Sequence, residues 1–177
     1  MTRRSRTAIG GAAVCGALLL ATSACGSSSS SGGTSGPTAA QAGTRLSQDA
    51  RALLTDMQKL LAAPQPFTVT TDAADAAKAT SCGKGKEQRT FDGRMQVPAT
   101  PNAHVALITD EGSANGYLVQ RGYSLDTGAQ RESSDSKRNA PMVDKKAGVH
   151  LTVTLTPAAG GLVDYVVTGT TDCLRAS

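Results

Sequence analysis

Val149 to Thr170 reads VHLTVTLTPAAGGLVDYVVTGT, and this stretch decides the fold class. Val149, Leu151, Val153 and Leu155 alternate with His150, Thr152 and Thr154, the two-residue period of a strand with one buried face. Ala158-Ala159-Gly160-Gly161 supplies a turn, and Leu162 to Thr170 returns as the partner strand of an antiparallel hairpin. An apolar sheet face must be covered by another layer. The rest of the chain is read for what provides it.

Upstream, Glu87 to Val97 alternates in the same way. Arg89, Phe91, Gly93, Met95 and Val97 share one face, and Pro98 and Pro101 end the strand. Phe67 to Thr71 reads as a short strand. Between Leu46 and Ala63, the residues Leu46, Ala50, Leu53, Leu54, Met57, Leu60 and Leu61 recur at helical spacing. Thr44 or Ser47 can cap this helix and Pro64 stops it. Asp72 to Thr80 reads equally as a helical turn or an irregular loop. Asn102 to Ala114 predicts a second helix with Val105 and Ile108 on its stripe and Ala103 and Leu107 beside it. Asn115-Gly116 is read as a turn into a strand at Tyr117 to Leu125. Gly128 to Lys146 is polar and is expected to be a long exposed loop. The predicted order is α–β–β–α–β–β–β, an α+β domain over residues 44–177 with an antiparallel sheet and two helices packed on one face.

The N-terminus carries an address. Arg3, Arg4 and Arg6 precede an apolar run from Ile9 to Ala21, and small residues Thr22, Ser23 and Ala24 lead to Cys25, the three parts of an export signal over residues 1–24. The run is too short and Gly-rich for a membrane span. Ala21-Thr22-Ser23-Ala24-Cys25-Gly26 resembles the lipobox of bacterial lipoproteins. The resemblance implies that the Cys25 thiol is diacylated and the chain cut just before it. Thr22 departs from the commonest residue of that motif at its position, which is Leu. Residues 25–43, with Ser27 to Ser31 and Gly32-Gly33, have the composition of a tether. The pair Arg3-Arg4 is followed by Ser5 and Arg6 rather than the hydrophobic residues of a twin-arginine signal, so the export route stays open. The element order, the cysteines and the lipobox are similar to the small α+β lipoproteins of actinobacteria, such as the mycobacterial LppA type, in outline over residues 45–175. No functional residues carry over from that group.

Export sets the reading of the cysteines. Cys15 leaves with the signal and Cys25 takes the lipid, which leaves Cys82 and Cys173 in an oxidising compartment and predicts a disulfide between them. There is no Cys-x-x-Cys to suggest redox or metal chemistry. The formal charge of +4 falls when the three signal arginines go, because fifteen basic residues then face fourteen acidic ones. That balance predicts no strong attraction to nucleic acid or anionic lipid. The absence of Trp and the 3% aromatic content leave few platforms for stacking bases.

Catalytic groups are sparse. His104 and His150 are the two histidines, neither has a His, Glu or Cys at metal-ligand spacing, and both are expected to be solvated. Gly83-Lys84-Gly85-Lys86 is a small basic loop without the ending of a phosphate loop, and the charges from Arg131 to Lys146 read as a solvated surface. No catalytic residue, metal or cofactor is expected. The sequence predicts a lipid-anchored, extracytoplasmic binding or accessory domain at the cell envelope, with an envelope protein, cell-wall polymer or small ligand as partner. The alternative is a small envelope hydrolase, which requires His104 or His150 to meet a carboxylate and a hydroxyl in space. A two-lobed solute binder needs a longer folded part.

Overall fold

The computed structural model describes residues 36–176. In chain order these form α1 (Ala39–Leu60), β1 (Thr68–Thr71), a 3-10 turn at Ala76–Lys78, β2 (Thr80–Gly83), β3 (Lys86–Gln88), β4 (Thr90–Pro98), α2 (Ala103–Gln120), β5 (Ser124–Leu125), β6 (Arg138–Asp144), β7 (Val149–Ala158), β8 (Leu162–Thr171) and β9 (Leu174–Arg175). An antiparallel sheet has the strand order β1-β4-β8-β7-β6-β5, and β2-β3-β9 make a second, smaller one. The class is α+β with both helices over one face of the larger sheet, as the hairpin pattern requires.

β7 and β8 pair from Val149↔Thr171 to Ala158↔Leu162. Gly160 and Gly161 turn the chain between them at φ of +73° and +71°, a region that side chains rarely enter. Phe91, Met95 and Val97 of β4, Val163, Tyr165 and Val167 of β8, and Leu151, Val153 and Leu155 of β7 are all buried on the inner face. Leu46, Ala50, Leu53, Leu54 and Met57 of α1 and Ala106, Leu107, Ala114 and Leu118 of α2 close over them. The opposite face is polar, with Thr152, Thr154 and Thr156 of β7 half-exposed.

α1 lies directly on the strands because two inner-face positions lack a side chain. A Cβ on Gly93 would stand 2.7 Å from Leu54 Cδ1, and one on Gly169 would collide with Leu46 Cδ1 and stand 3.0 Å from the His150 carbonyl oxygen. Gly43 gives the same clearance on the helix, where the Ala73 carbonyl and the Arg89 side chain come close.

Five expectations are corrected. α1 begins at Ala39, not Leu46. Its cap is Thr38, whose hydroxyl accepts from the Gln41 N–H while the Gln41 side chain takes the Thr38 N–H. Ala39, Ala42 and Gly43, which composition assigned to the tether, are buried helix. α2 runs through Asn115-Gly116 to Gln120 instead of turning there, because Ala114 and Leu118 are buried on its inner face. That face is one step round from the expected stripe, and Ile108 is exposed. The expected strand at Tyr117 to Leu125 shrinks to β5. Inside the expected loop lies β6, which pairs with β7 along its length from Arg138↔Leu155 to Asp144↔Val149. Finally, the expected strand from Glu87 to Val97 breaks at Arg89 and serves both sheets as β3 and β4.

That break is pinned. Arg89 exchanges hydrogen bonds with Thr171, its N–H reaching Thr171 Oγ1 at 3.0 Å and its carbonyl accepting from the Thr171 N–H at 2.9 Å. Its guanidinium bonds Glu87 Oε1. Beside it the predicted disulfide joins Cys82 of β2 to Cys173, 91 positions apart, and so ties the small sheet to the end of β8. Closing a loop of this length is worth roughly 4–5 kcal/mol at most by chain entropy.

The close approach of α1 predicts a pair of opposite effects. Gly169→Val forces Leu46 and the β7 backbone apart and costs about 1–3 kcal/mol. Gly112→Ala, in open space within α2, gains up to about 1 kcal/mol. Thermal melts of the two variants check this, and equal, small shifts contradict it.

Candidate functional site

A cleft with converging charged side chains opens beside Asp49, which lies on the inner face of α1 and is only 1% exposed. Its two oxygens take three donors. Arg45 Nε stands 2.8 Å from Oδ2, the Tyr123 hydroxyl 3.0 Å from Oδ2, and Arg121 Nη1 2.9 Å from Oδ1. A buried carboxylate persists only when paired and hydrogen-bonded in this way. Burial first, and then the charge of Asp49, hold the Tyr123 hydroxyl well above its ordinary pKa, so it remains a donor.

The same arginines close the end of α2. Arg45 Nη2 donates to the Arg121 carbonyl at 2.9 Å, satisfying an oxygen that the helix leaves unpaired. The Arg121 guanidinium also sits 4.8 Å above the Tyr117 ring. Around them is a cavity of about 600 Å³ lined by Arg45, Arg121, Ser124, Asp144, Lys145 and Lys146. Asp144 Oδ2 is 3.8 Å from Arg45 Nη2. Among the described residues no carboxylate lies within ion-pair distance of Lys145 or Lys146. Two guanidiniums share one buried carboxylate and two free ammonium groups stand at the rim, so the cleft presents excess positive charge on a fixed framework.

His150 corrects the expectation of a solvated residue. Its Nδ1 is 3.0 Å from Asp126 Oδ2 and its Nε2 2.9 Å from Asp172 Oδ1. The ring bridges the loop after β5 and the segment after β8. Both nitrogens face carboxylate oxygens, which makes the protonated ring the favoured form and leaves no nitrogen free to act as a base. Partial burial pulls its pKa down, but the bonds to Asp172 and Asp126 outweigh this and the net shift is upward. The hydrogen bond from His150 is the main reason Asp126 is shifted down.

The other singled-out residues are scattered. His104 stands on the exposed start of α2, its Nδ1 3.0 Å from Asp135, whose side chain is 86% exposed. Gly83-Lys84-Gly85-Lys86 forms the exposed turn between β2 and β3. The charges from Arg131 to Lys146 are not uniformly solvated. Arg131 Nη2, at 2.8 Å, and Arg138 Nε both reach buried Glu111 on α2. Cys25 lies outside the described residues. No group of His, Cys, Asp or Glu able to hold a metal occurs among the described residues.

Asp110, beside Glu111, is also buried. Burial pushes its pKa up to about 6, offset in part by the Thr109 hydroxyl. Its Oδ2 and the nearby Tyr165 hydroxyl have no partner among the described residues. Because the folded pKa lies above the unfolded one, the ionised form works against the fold above about pH 6.

Sequence reasoning missed the cleft because it is assembled from distant segments: the bonds from Arg45 and Asp49 to Arg121 and Tyr123 cross 72 to 76 positions. One signal was readable. Asp49 falls on the apolar stripe of α1, three after Leu46 and four before Leu53, where an unpaired carboxylate is not tolerated. No protein-family model, no curated protein and no solved structure matches the chain.

The His150 bridge carries a signed pH dependence. Its folded pKa is raised, so its stabilisation is complete below the unfolded value of about 6.5 and is lost as pH rises through the folded pKa. Titration followed by NMR should place His150 above 6.5, and His150→Gln should flatten the fall of stability with rising pH in that range. A ring that titrates at or below 6.5 contradicts the bridge.

Proposed function

We propose that this chain is an extracytoplasmic lipoprotein, held at the cell membrane by a lipid on Cys25, and that it works by binding an anionic group rather than by catalysis. The observation that carries the binding reading is the cleft. Arg45 and Arg121 are fixed in place by buried Asp49, so their donors are positioned before a ligand arrives and little ordering entropy is spent on binding. Guanidinium donors are suited to carboxylate and phosphate oxygens, and Lys145 and Lys146 add charge at the rim.

The hydrolase alternative has less support. His150 has both ring nitrogens against carboxylates. The His104–Asp135 pair is open to water, and no hydroxyl is hydrogen-bonded to either ring among the described residues. No histidine lines the cleft. The anchor rests on the lipobox-like run that ends at Cys25 and the short apolar segment before it. Two acyl chains give the stable attachment that one does not.

Two measurements test the reading. Cys25→Ala should move the protein from the membrane fraction to the medium, and membrane attachment that survives the substitution rules out the lipid. Inorganic phosphate should raise the melting temperature of the wild-type protein in proportion to the logarithm of its concentration above Kd. Lys145→Gln/Lys146→Gln, which alters two exposed residues, should weaken that rise severalfold. An equal rise in the variant, or none in either protein, contradicts an anionic ligand in the cleft.

A further inference from the structure

The net charge of the exported chain is near zero, but its distribution is not even. The described residues begin at Gly36 and Pro37, which line a shallow pocket together with Lys86, Cys173, Leu174 and Arg175. From there a short segment links two basic turns. The Ala176 N–H donates to the Gly85 carbonyl at one end, in the turn that carries Lys84 and Lys86. The Asp172 N–H donates to the Gly148 carbonyl at the other, in the turn after Lys145 and Lys146. Asp172 and Ala176 are four residues apart, so the Gly148 and Gly85 carbonyls they bond are separated by roughly 20 Å at most along this link. The second turn also forms the rim of the cleft that holds Arg45 and Arg121.

The acidic groups at this end are engaged by other cations. Asp49 is shared by Arg45 and Arg121, Asp144 faces Arg45, Glu87 holds Arg89, and Asp126 and Asp172 hold His150. Lys84, Lys86, Lys145, Lys146 and Arg175 are exposed, and among the described residues none has a carboxylate within ion-pair distance. Lys59 and Lys137, in contrast, belong to the other end. Lys59 is in the last turn of α1, and Lys137 precedes the start of β6 and pairs with Glu132.

The tether joins the domain at this same basic end. Gly36 follows Cys25 by eleven residues, which span roughly 40 Å at full extension and less in any other conformation. We propose that the basic end docks on the membrane that holds the anchor, with Lys84, Lys86, Lys145, Lys146 and Arg175 against anionic phospholipid headgroups and the cleft of Arg45 and Arg121 receiving a headgroup phosphate. This inference rests on the lipid-anchor reading and names the source of the anion proposed for the cleft. A polybasic surface held within reach by a lipid is the second signal that makes membrane contact lasting. The docking orients the sheet with the hairpin turn at Gly160-Gly161 away from the bilayer.

The test uses the full lipidated protein, purified from its membrane and reconstituted in vesicles. One set is phosphatidylcholine alone and the other contains roughly one third phosphatidylglycerol. Lysines are acetylated briefly and quantified by mass spectrometry, with Lys59 and Lys137 as internal references. The expected result is at least a threefold drop in acetylation of Lys84, Lys86, Lys145 and Lys146 in the anionic vesicles. Lys59 and Lys137 should not change, and the drop should be reversed near 1 M salt, where screening is complete within about 3 Å. Lys145→Glu/Lys146→Glu should restore acetylation of Lys84 and Lys86. Equal acetylation in both vesicle types, with the protein floating alongside the vesicles, overturns the docking and leaves the anchor standing. A protein that floats with neither vesicle overturns the anchor, and the docking with it.

Discussion

The position of α1 depends on two glycines. Gly93 and Gly169 leave gaps in the inner face of the sheet, and Leu54 and Leu46 fill them. Ridge and groove are therefore fixed between helix and sheet to within a methyl group, and packed interiors do not absorb larger errors without loss. Leu46 is one residue from Arg45 and three from Asp49. The contact that seats the helix also sets the charged cluster at the mouth of the cleft and brings Gly36 and Pro37 to the small sheet.

Two buried carboxylates then order what the hydrophobic pattern leaves open. Asp49 joins α1 to the end of α2 through Arg45, Arg121 and Tyr123. Glu111 joins α2 to the approach of β6 through Arg131 and Arg138. Each is a carboxylate between two guanidiniums. Such a cluster adds little net stability against an apolar replacement, yet loss of one partner leaves a buried charge uncompensated at about 3–5 kcal/mol. The connections at Arg121–Ser124 and Arg131–Arg138 thereby hold a single arrangement despite their polar composition. His150 does similar work on the outer face, where it links Asp126 and Asp172.

These facts explain which parts of the molecule were legible in the sequence. β4, β7 and β8 alternate strictly because one face is dry and the other wet, and their pattern survives in the letters. The Cys82–Cys173 bridge followed from the compartment and from elimination. β6 was hidden because its inward residues are Arg138, Ala140, Met142 and Asp144, and two of the four are charged. The start of α1 was hidden because Ala39, Ala42 and Gly43 are small residues also common in tethers, although Thr38 and Gln41 already spelled a capping box. Asn115-Gly116 is a strong local turn signal that burial of Ala114 and Leu118 overrode. The cleft and the basic end are assembled from distant segments, and net charge averages away the asymmetry between the two ends.

The functional account stands on the proposed lipid at Cys25, which would hold the basic end within reach of a membrane. Mass analysis of the N-terminal peptide from protein extracted out of its own membrane tests it most directly. The account predicts a peptide that begins at Cys25 and carries the mass of a diacylglyceryl group on the sulfur. A mature chain that begins elsewhere, or an unmodified Cys25 thiol, would contradict it.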